Sequence, residues 1–147
     1  MKGPKRSTCP ISFALELLGD RWSLLVLRDL VFRQRRHFRE FLESPEGIAT
    51  NVLADRLERL ELHGIIRKEP DPDDRRRNVY SLTEAGLDLV PLLVELTIWG
   101  AKHDPESAYP RDRLARFEGD RAGTVQHFRR KASAPARSSA ESGAPAD

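Results

Sequence analysis

The sequence predicts a mainly α chain with one small β-hairpin, an α+β class, built as helix, turn, helix and wing and working as a dimer. Three observations carry this. Between His37 and Leu82, a short amphipathic stretch, a turn cluster and a longer amphipathic stretch lead into two β-favouring runs around an arginine-rich tip. The 147-residue length and 39% hydrophobic content allow about one domain with a modest core. Beyond the tip comes a helical stretch apolar on nearly its whole circumference, which asks for burial against a second copy. The obvious use of a winged helix-turn-helix is to set one helix in a DNA groove.

Taken in order, residues 1–8 are a basic, polar and flexible arm. Cys9-Pro10 opens a helix, since proline suits the first helical position. Ile11, Ala14, Leu15 and Leu18 recur at helical spacing and predict a buried face, and Gly19 is expected to end the helix in a left-handed cap. Asp20 is an N-cap for a second helix, Arg21 to about Phe32, whose broad apolar surface makes it central to the core. Arg33, Arg35, Arg36 and Arg39 then fall within seven residues, which reads either as a phosphate-contact patch or as a solvated loop.

Phe38, Phe41 and Leu42 form a short helix, followed by the turn cluster Ser44-Pro45-Glu46-Gly47. The next helix, Thr50 to His63, must turn Leu53, Leu57 and Leu60 inward. Its N-terminal turns then offer Ala49, Thr50, Asn51, Asp55 and Arg56 to a groove. Asparagine and arginine suit adenine and guanine edges. Asp55 repels phosphate, so its use is cytosine N4 or the orientation of an arginine. A solvated helix face is the competing reading for each of these residues.

Gly64 caps that helix, Ile65–Glu69 forms a strand, and Pro70–Asp74 cannot continue one. Asn78–Leu82 returns as the second strand. Arg75, Arg76 and Arg77 at the tip suit a narrow minor groove, with the flanking acids expected to buckle the loop by pairing with them. A charged tip without a ligand is the plain alternative.

Thr83 caps a long helix, 83–103, kinked at Pro91, whose Leu89, Leu92, Leu93, Leu96 and Trp99 are the expected dimer contacts. The domain spans 9–104. Residues 105–131 form a C-terminal extension with one weak amphipathic helix interrupted by Gly119 and Gly123, and the low-complexity stretch 132–147 reads as a disordered tail.

Several function classes fall away. His37, His63, His103 and His127 are scattered without partners at ligand spacing, and no glycine-rich phosphate loop is present, so no enzyme, metal or cofactor is expected. One cysteine, Cys9, excludes an intrachain disulfide. No apolar run reaches the ~18 residues of a membrane helix, and the N-terminus lacks the apolar core of a signal peptide. A cytoplasmic location is therefore expected. The net charge of only +2 keeps a second class open, a winged-helix protein-interaction module that does not read DNA.

Many ordered segments resemble the HxlR-type regulators. They are Cys9-Pro10, Ala14-Leu15, Gly19 through Arg28, Arg36 through Phe41, Pro45 through Ile48, Leu53 through Leu57, Leu60-Glu61, Gly64, Tyr80 through Gly86 and Trp99-Gly100. The likeness runs from Cys9 to His103. It implies a homodimer that binds pseudo-palindromic operator DNA, usually as a repressor. The wing, Asp71 through Arg77, is more similar to that of MarR regulators, where the arginine matching Arg76 reaches the minor groove. Several HxlR-type members sense electrophiles or oxidants through a cysteine near Cys9. Here its place at a helix N-terminus beside Lys5 and Arg6 favours the thiolate. A partly buried cap residue with no sensing role is the other reading of Cys9. The resemblance does not reach the chain beyond residue 104.

Overall fold

The structure, a computed structural model, describes residues 6–135. Eight helices and one hairpin follow in the order α1 (Pro10–Leu18), α2 (Ser23–Val31), α3 (Phe38–Leu42), α4 (Thr50–Leu62), β1 (Ile66–Pro70), β2 (Asn78–Leu82), α5 (Glu84–Leu87), α6 (Val90–His103), α7 (Arg111–Gly119) and α8 (Arg121–Ser133). Among these residues no helix is long and apolar enough to cross a membrane.

The core forms around α2, whose Val26, Leu27, Leu30 and Val31 are buried. Asp20 secures the start of this helix: its Oδ1 accepts from the backbone N–H of Trp22 (2.8 Å) and Ser23 (2.9 Å). These are donors that a helix N-terminus otherwise leaves unsatisfied. Leu53, Leu57 and Leu60 seat α4 on this core as their spacing demands. Each such side chain contributes roughly 1.5–3 kcal/mol by leaving water. The hairpin is antiparallel, with Ile66 opposite Leu82 and Pro70 opposite Asn78. Gly64 takes φ +72° on leaving α4, the left-handed region where a side chain would be strained.

Four expectations change. First, α1 does not bury the face its spacing suggested. Leu18 is buried and Leu17 packs against the core, while Ile11 (71% exposed), Phe13 and Leu15 face outward. Amphipathic spacing identifies a face that wants cover, and among the described residues that cover comes at the helix's last turn. Gly19 ends the helix in a right-handed conformation, φ −77°, not a left-handed one.

Second, the expected long helix is two. The chain breaks at Asp88-Leu89, and Pro91 lies in the first turn of α6, where its missing N–H costs nothing, and not in a helix interior. Third, the extension is two helices that belong to the core. Asp120 separates them and caps α8 by accepting from the Gly123 N–H at 2.9 Å. A Cβ at Gly123 would lie 2.1 Å from that carboxylate, so a larger residue there would displace the cap. Phe117 and Phe128 pack with Phe32 of the α2 terminus, the Phe32–Phe128 centroids 4.7 Å apart and edge-on. Ala132 is buried, so ordered helix runs into the stretch expected to be a disordered tail; residues 136–147 of that tail, and 1–5 of the arm, lie outside the described residues.

Fourth, α6 is covered in large part by its own chain, packing on α2, α7 and α8. Leu93 is consequently buried in the protomer and Leu89 half-buried, which removes Leu93 from the expected dimer contacts. Leu92, Leu96 and Trp99 (66%) stay exposed.

Candidate nucleic-acid interface

The helix-turn-helix is α3, the turn 43–49 and α4, and polar ties bolt it to α2. Glu40 closes the start of α3, accepting from the His37 N–H at 3.1 Å. Gly47 completes the turn with φ +71° and donates to Ser44 O at 3.0 Å. Beneath it lies Asp29, 2% exposed, whose carboxylate accepts from Arg28 Nε (3.0 Å), from Arg33 (3.3 Å) and from the Ser44 hydroxyl. Arg28 also forks onto Glu46 and holds that carboxyl at about 2. The turn cannot shift without disturbing a buried ionic network.

On α4, Ala49, Thr50, Asn51 and Asp55 all face solvent at the N-terminal end. Arg56 does not join them freely. It is half-buried, with Nε on Asp20 Oδ1 at 2.9 Å and another nitrogen on Asp55. Three residues on, Arg59 donates to Glu16 O at 3.4 Å.

The wing tip is folded by its own acids. Asp71, only 3% exposed, accepts from the Asp73 N–H (2.9 Å) and Arg77 Nε (2.7 Å), and meets the His37 ring (2.9 Å). Led by the bond from the Asp73 amide, these contacts hold its carboxyl at about 2. Asp74 receives the Arg76 N–H (3.1 Å) and its guanidinium (3.0 and 3.2 Å). The pairing expected at the tip is thus present, yet the Arg76 side chain stays 91% exposed and Arg75 is exposed beside it.

The arginines before α3 behave differently. Arg36, expected at phosphate, is 6% exposed, and its guanidinium donates to Ala132 O at 2.9 Å. Burial lowers its pKa, and among the described residues its second terminal nitrogen has no partner. Arg36 is therefore a core residue and cannot be a DNA contact in this conformation. Its carbonyl accepts from Tyr80 N–H at 2.8 Å, which adds a short third line of backbone to the wing base. Arg35 is half-buried against Glu40 O and Glu43, and Arg33 is on Asp29. Arg39 faces solvent.

Sequence reasoning missed His37, which joins α3 to the wing through Glu40 and Asp71. The His37-x-x-Glu40 spacing is a capping signal that could have been read. Sequence reasoning gave Asp29 no role, although helical spacing puts this acid with Trp22, Val26 and Leu30 on one side of α2. Cys9 is exposed at the start of α1, and Ile11, Leu15, Glu16, Asp20 and Arg59 line a groove with it. No cluster of possible metal ligands occurs among the described residues.

Comparison with known proteins agrees with this architecture. The HxlR-like helix-turn-helix family profile matches residues 17–108. An uncharacterised HTH-type transcriptional regulator of Synechocystis is 40% identical over 88 residues, 60% of this chain and 64% of its own length. The chain thus spans less than two thirds of that relative. Among solved structures, PA1607, a proposed transcription factor, shares 37% identity at TM-score 0.66, over 73% of this chain and 75% of its own. The redox regulator HypR in its oxidised form shares 28% identity at TM-score 0.58, over 65% and 97%. With the family match covering more than half of its length and the helix-turn-helix and wing in place, the chain belongs to the HxlR-like helix-turn-helix family of winged-helix proteins.

Proposed function

We propose that this protein is a sequence-specific DNA-binding transcriptional regulator that binds pseudo-palindromic operators as a homodimer and represses transcription. The observation that carries the reading is the shared exposure of the α4 N-terminal face and of Arg75 and Arg76 on the adjoining wing. Ala49, Thr50, Asn51 and Asp55 enter the major groove, and Arg76 reaches the minor groove. Arg39 and Arg75 hold phosphates. Arg35 and Arg77, both tied to acids, are secondary contributors.

A second copy covers the apolar side chains left outside on α1 and α6, namely Ile11, Phe13, Leu15, Leu92, Leu96 and Trp99. So much exposed apolar surface on a chain of this size favours association. Cys9 is the proposed sensor. A single cysteine limits the chemistry to an intersubunit disulfide, a mixed disulfide or an adduct. HypR, a redox regulator, is similar in structure. Diamide or a quinone is expected to weaken operator binding by the wild type and leave Cys9→Ser unaffected; an unchanged wild type would refute sensing.

Footprinting on bound genomic fragments tests the main reading. Two symmetric protected half-sites, with affinity falling steeply as salt rises, are expected. An asymmetric footprint would contradict the dimer. Asp55, Glu58 and Glu61 on α4 favour the second reading, a protein-interaction module. Failure to be retained on either heparin or genomic DNA would select it.

A further inference from the structure

Arg56 has the chemistry of a groove contact but is bonded on the inner flank of α4. Its Nε lies 2.9 Å from Asp20 Oδ1. Asp20 is itself held in place: Oδ1 also accepts from the Trp22 and Ser23 amides, and Oδ2 accepts from the Ser23 hydroxyl at 2.5 Å. Ser23 is buried. The guanidinium therefore joins α4 to an anchor built into the start of α2. It also reaches Asp55, the acid on the exposed face, and so bridges the anchor to the reading surface.

Leu53, Leu57 and Leu60 seat α4, but apolar contact is non-directional and leaves a helix free to roll by several degrees. Two directional ties remove that freedom, Arg56 to Asp20 and, a turn further, Arg59 to Glu16 O. A groove contact must be placed within about 0.5 Å to read a base edge.

We infer that Asp20 and Arg56 are positioning residues for DNA reading, an ion-paired strut that fixes the rotation of α4 and the direction of Asp55, and that Arg56 is not itself a phosphate or base contact. The inference rests on the DNA-reading function proposed above. It assigns Asp20 two jobs, cap of α2 and anchor of α4. It also gives Asp55 a place on a DNA-facing surface, because Arg56 offsets the charge that would otherwise repel phosphate.

The probe is a labelled duplex enriched by the wild-type protein from a random pool, compared with an unrelated duplex of equal length. A strut predicts that Arg56→Gln weakens binding to the enriched duplex by about three- to tenfold, the range for a charge-assisted bond near the surface. It predicts an unchanged slope of log K against log salt. Asp20→Asn keeps an acceptor for the α2 amides and should also weaken binding, with the double variant no worse than the stronger single one. Arg56→Lys should recover part of the loss. Binding to the unrelated duplex should not move.

A direct contact predicts the opposite. Asp20→Asn would release Arg56 and tighten binding, and Arg56→Gln would lower the salt slope by about one. Either result, or additive single variants, overturns the strut while leaving DNA reading intact. If the wild type enriches no sequence, the DNA-reading function falls and the strut with it. Should Asp20→Asn lose its fold in a melting control, Arg56→Gln and Arg56→Lys decide the question, since neither touches the α2 cap.

Discussion

Two arginine clusters flank the helix pair, and in sequence they look interchangeable. Arg33, Arg35 and Arg36 precede α3, and Arg75, Arg76 and Arg77 form the wing tip. In the fold they part. The first cluster is consumed internally: Arg33 on buried Asp29, Arg35 on α3, and Arg36 under the end of α8. The second is held by acids near its own backbone, and Arg75 and Arg76 remain in solvent. The difference teaches that a run of arginine measures potential for phosphate binding, while the distance of the acids and carbonyls that claim each guanidinium decides its use. Where the acid is two residues away and the guanidinium lies in solvent, as with Asp74 and Arg76, the pairing is weak enough to be exchanged for phosphate. Where the guanidinium is buried along with its partner, as in Arg36, the arginine is structural.

Variants can break or sharpen this contrast, and the largest effect should come from the anchor of the first cluster. Asp29→Ala removes the acid that Arg33 and the Ser44 hydroxyl donate to and one of the two acids on Arg28, and should cost about 3–5 kcal/mol in chemical denaturation, as loss of one partner from a buried ionic network does. A loss below 1 kcal/mol would mean that the network does not hold the turn. Arg36→Ala comes next. It leaves Ala132 O without its donor and opens space beneath α8, so stability should fall by about 1–3 kcal/mol. The salt slope of DNA binding should not change. A lower slope at unchanged stability would return Arg36 to the phosphate patch.

Arg76→Ala should reverse that pattern. Stability stays within about 0.5 kcal/mol, as at other exposed sites. DNA affinity falls on all sequences, with the salt slope reduced by about one. The smallest effect is acid sensitivity. The Asp20, Glu46 and Asp71 carboxyls sit at about 2, below ordinary values of 3.8, 4.5 and 3.8. For Asp20 burial opposes the shift, but the bonds from Ser23, Trp22 and Arg56 outweigh it. Depressed carboxyls contribute stability that is fully present above the unfolded values and lost as pH falls through the folded ones. Denaturation midpoints should therefore hold from about pH 5 upward and fall between about 4.5 and 2. A midpoint flat across that window would contradict these pairings.

Much of the reading apparatus was legible because it is local. The spacing of Leu53, Leu57 and Leu60 orients α4, Gly47 and Gly64 mark its turns, and the wing acids lie within six residues of the arginines they bind. What was not legible depends on contacts far along the chain. Arg36 is claimed by a carbonyl 96 residues away, and Arg56 by an acid 36 residues earlier. The exposure of α1 was hidden for a related reason: its amphipathic face is real, but the described residues leave much of it uncovered. The split of the long helix at Asp88-Leu89 turns on α5 closing over the hairpin base. There the Thr83 hydroxyl reaches back to Ile65 O at 3.1 Å while accepting from the Gly86 N–H at 3.2 Å.

The central claim is that α4 reads sequence while the wing supplies affinity. Selection of duplexes from a random pool by the wild type and by Asn51→Ala, in parallel at one salt concentration, tests it most directly. Symmetric half-sites are expected for the wild type and a changed preference at one position in each half-site for Asn51→Ala, a position that discriminates by about 1–3 kcal/mol when its base contact is intact. An identical motif from both proteins, or no motif from either, would contradict it.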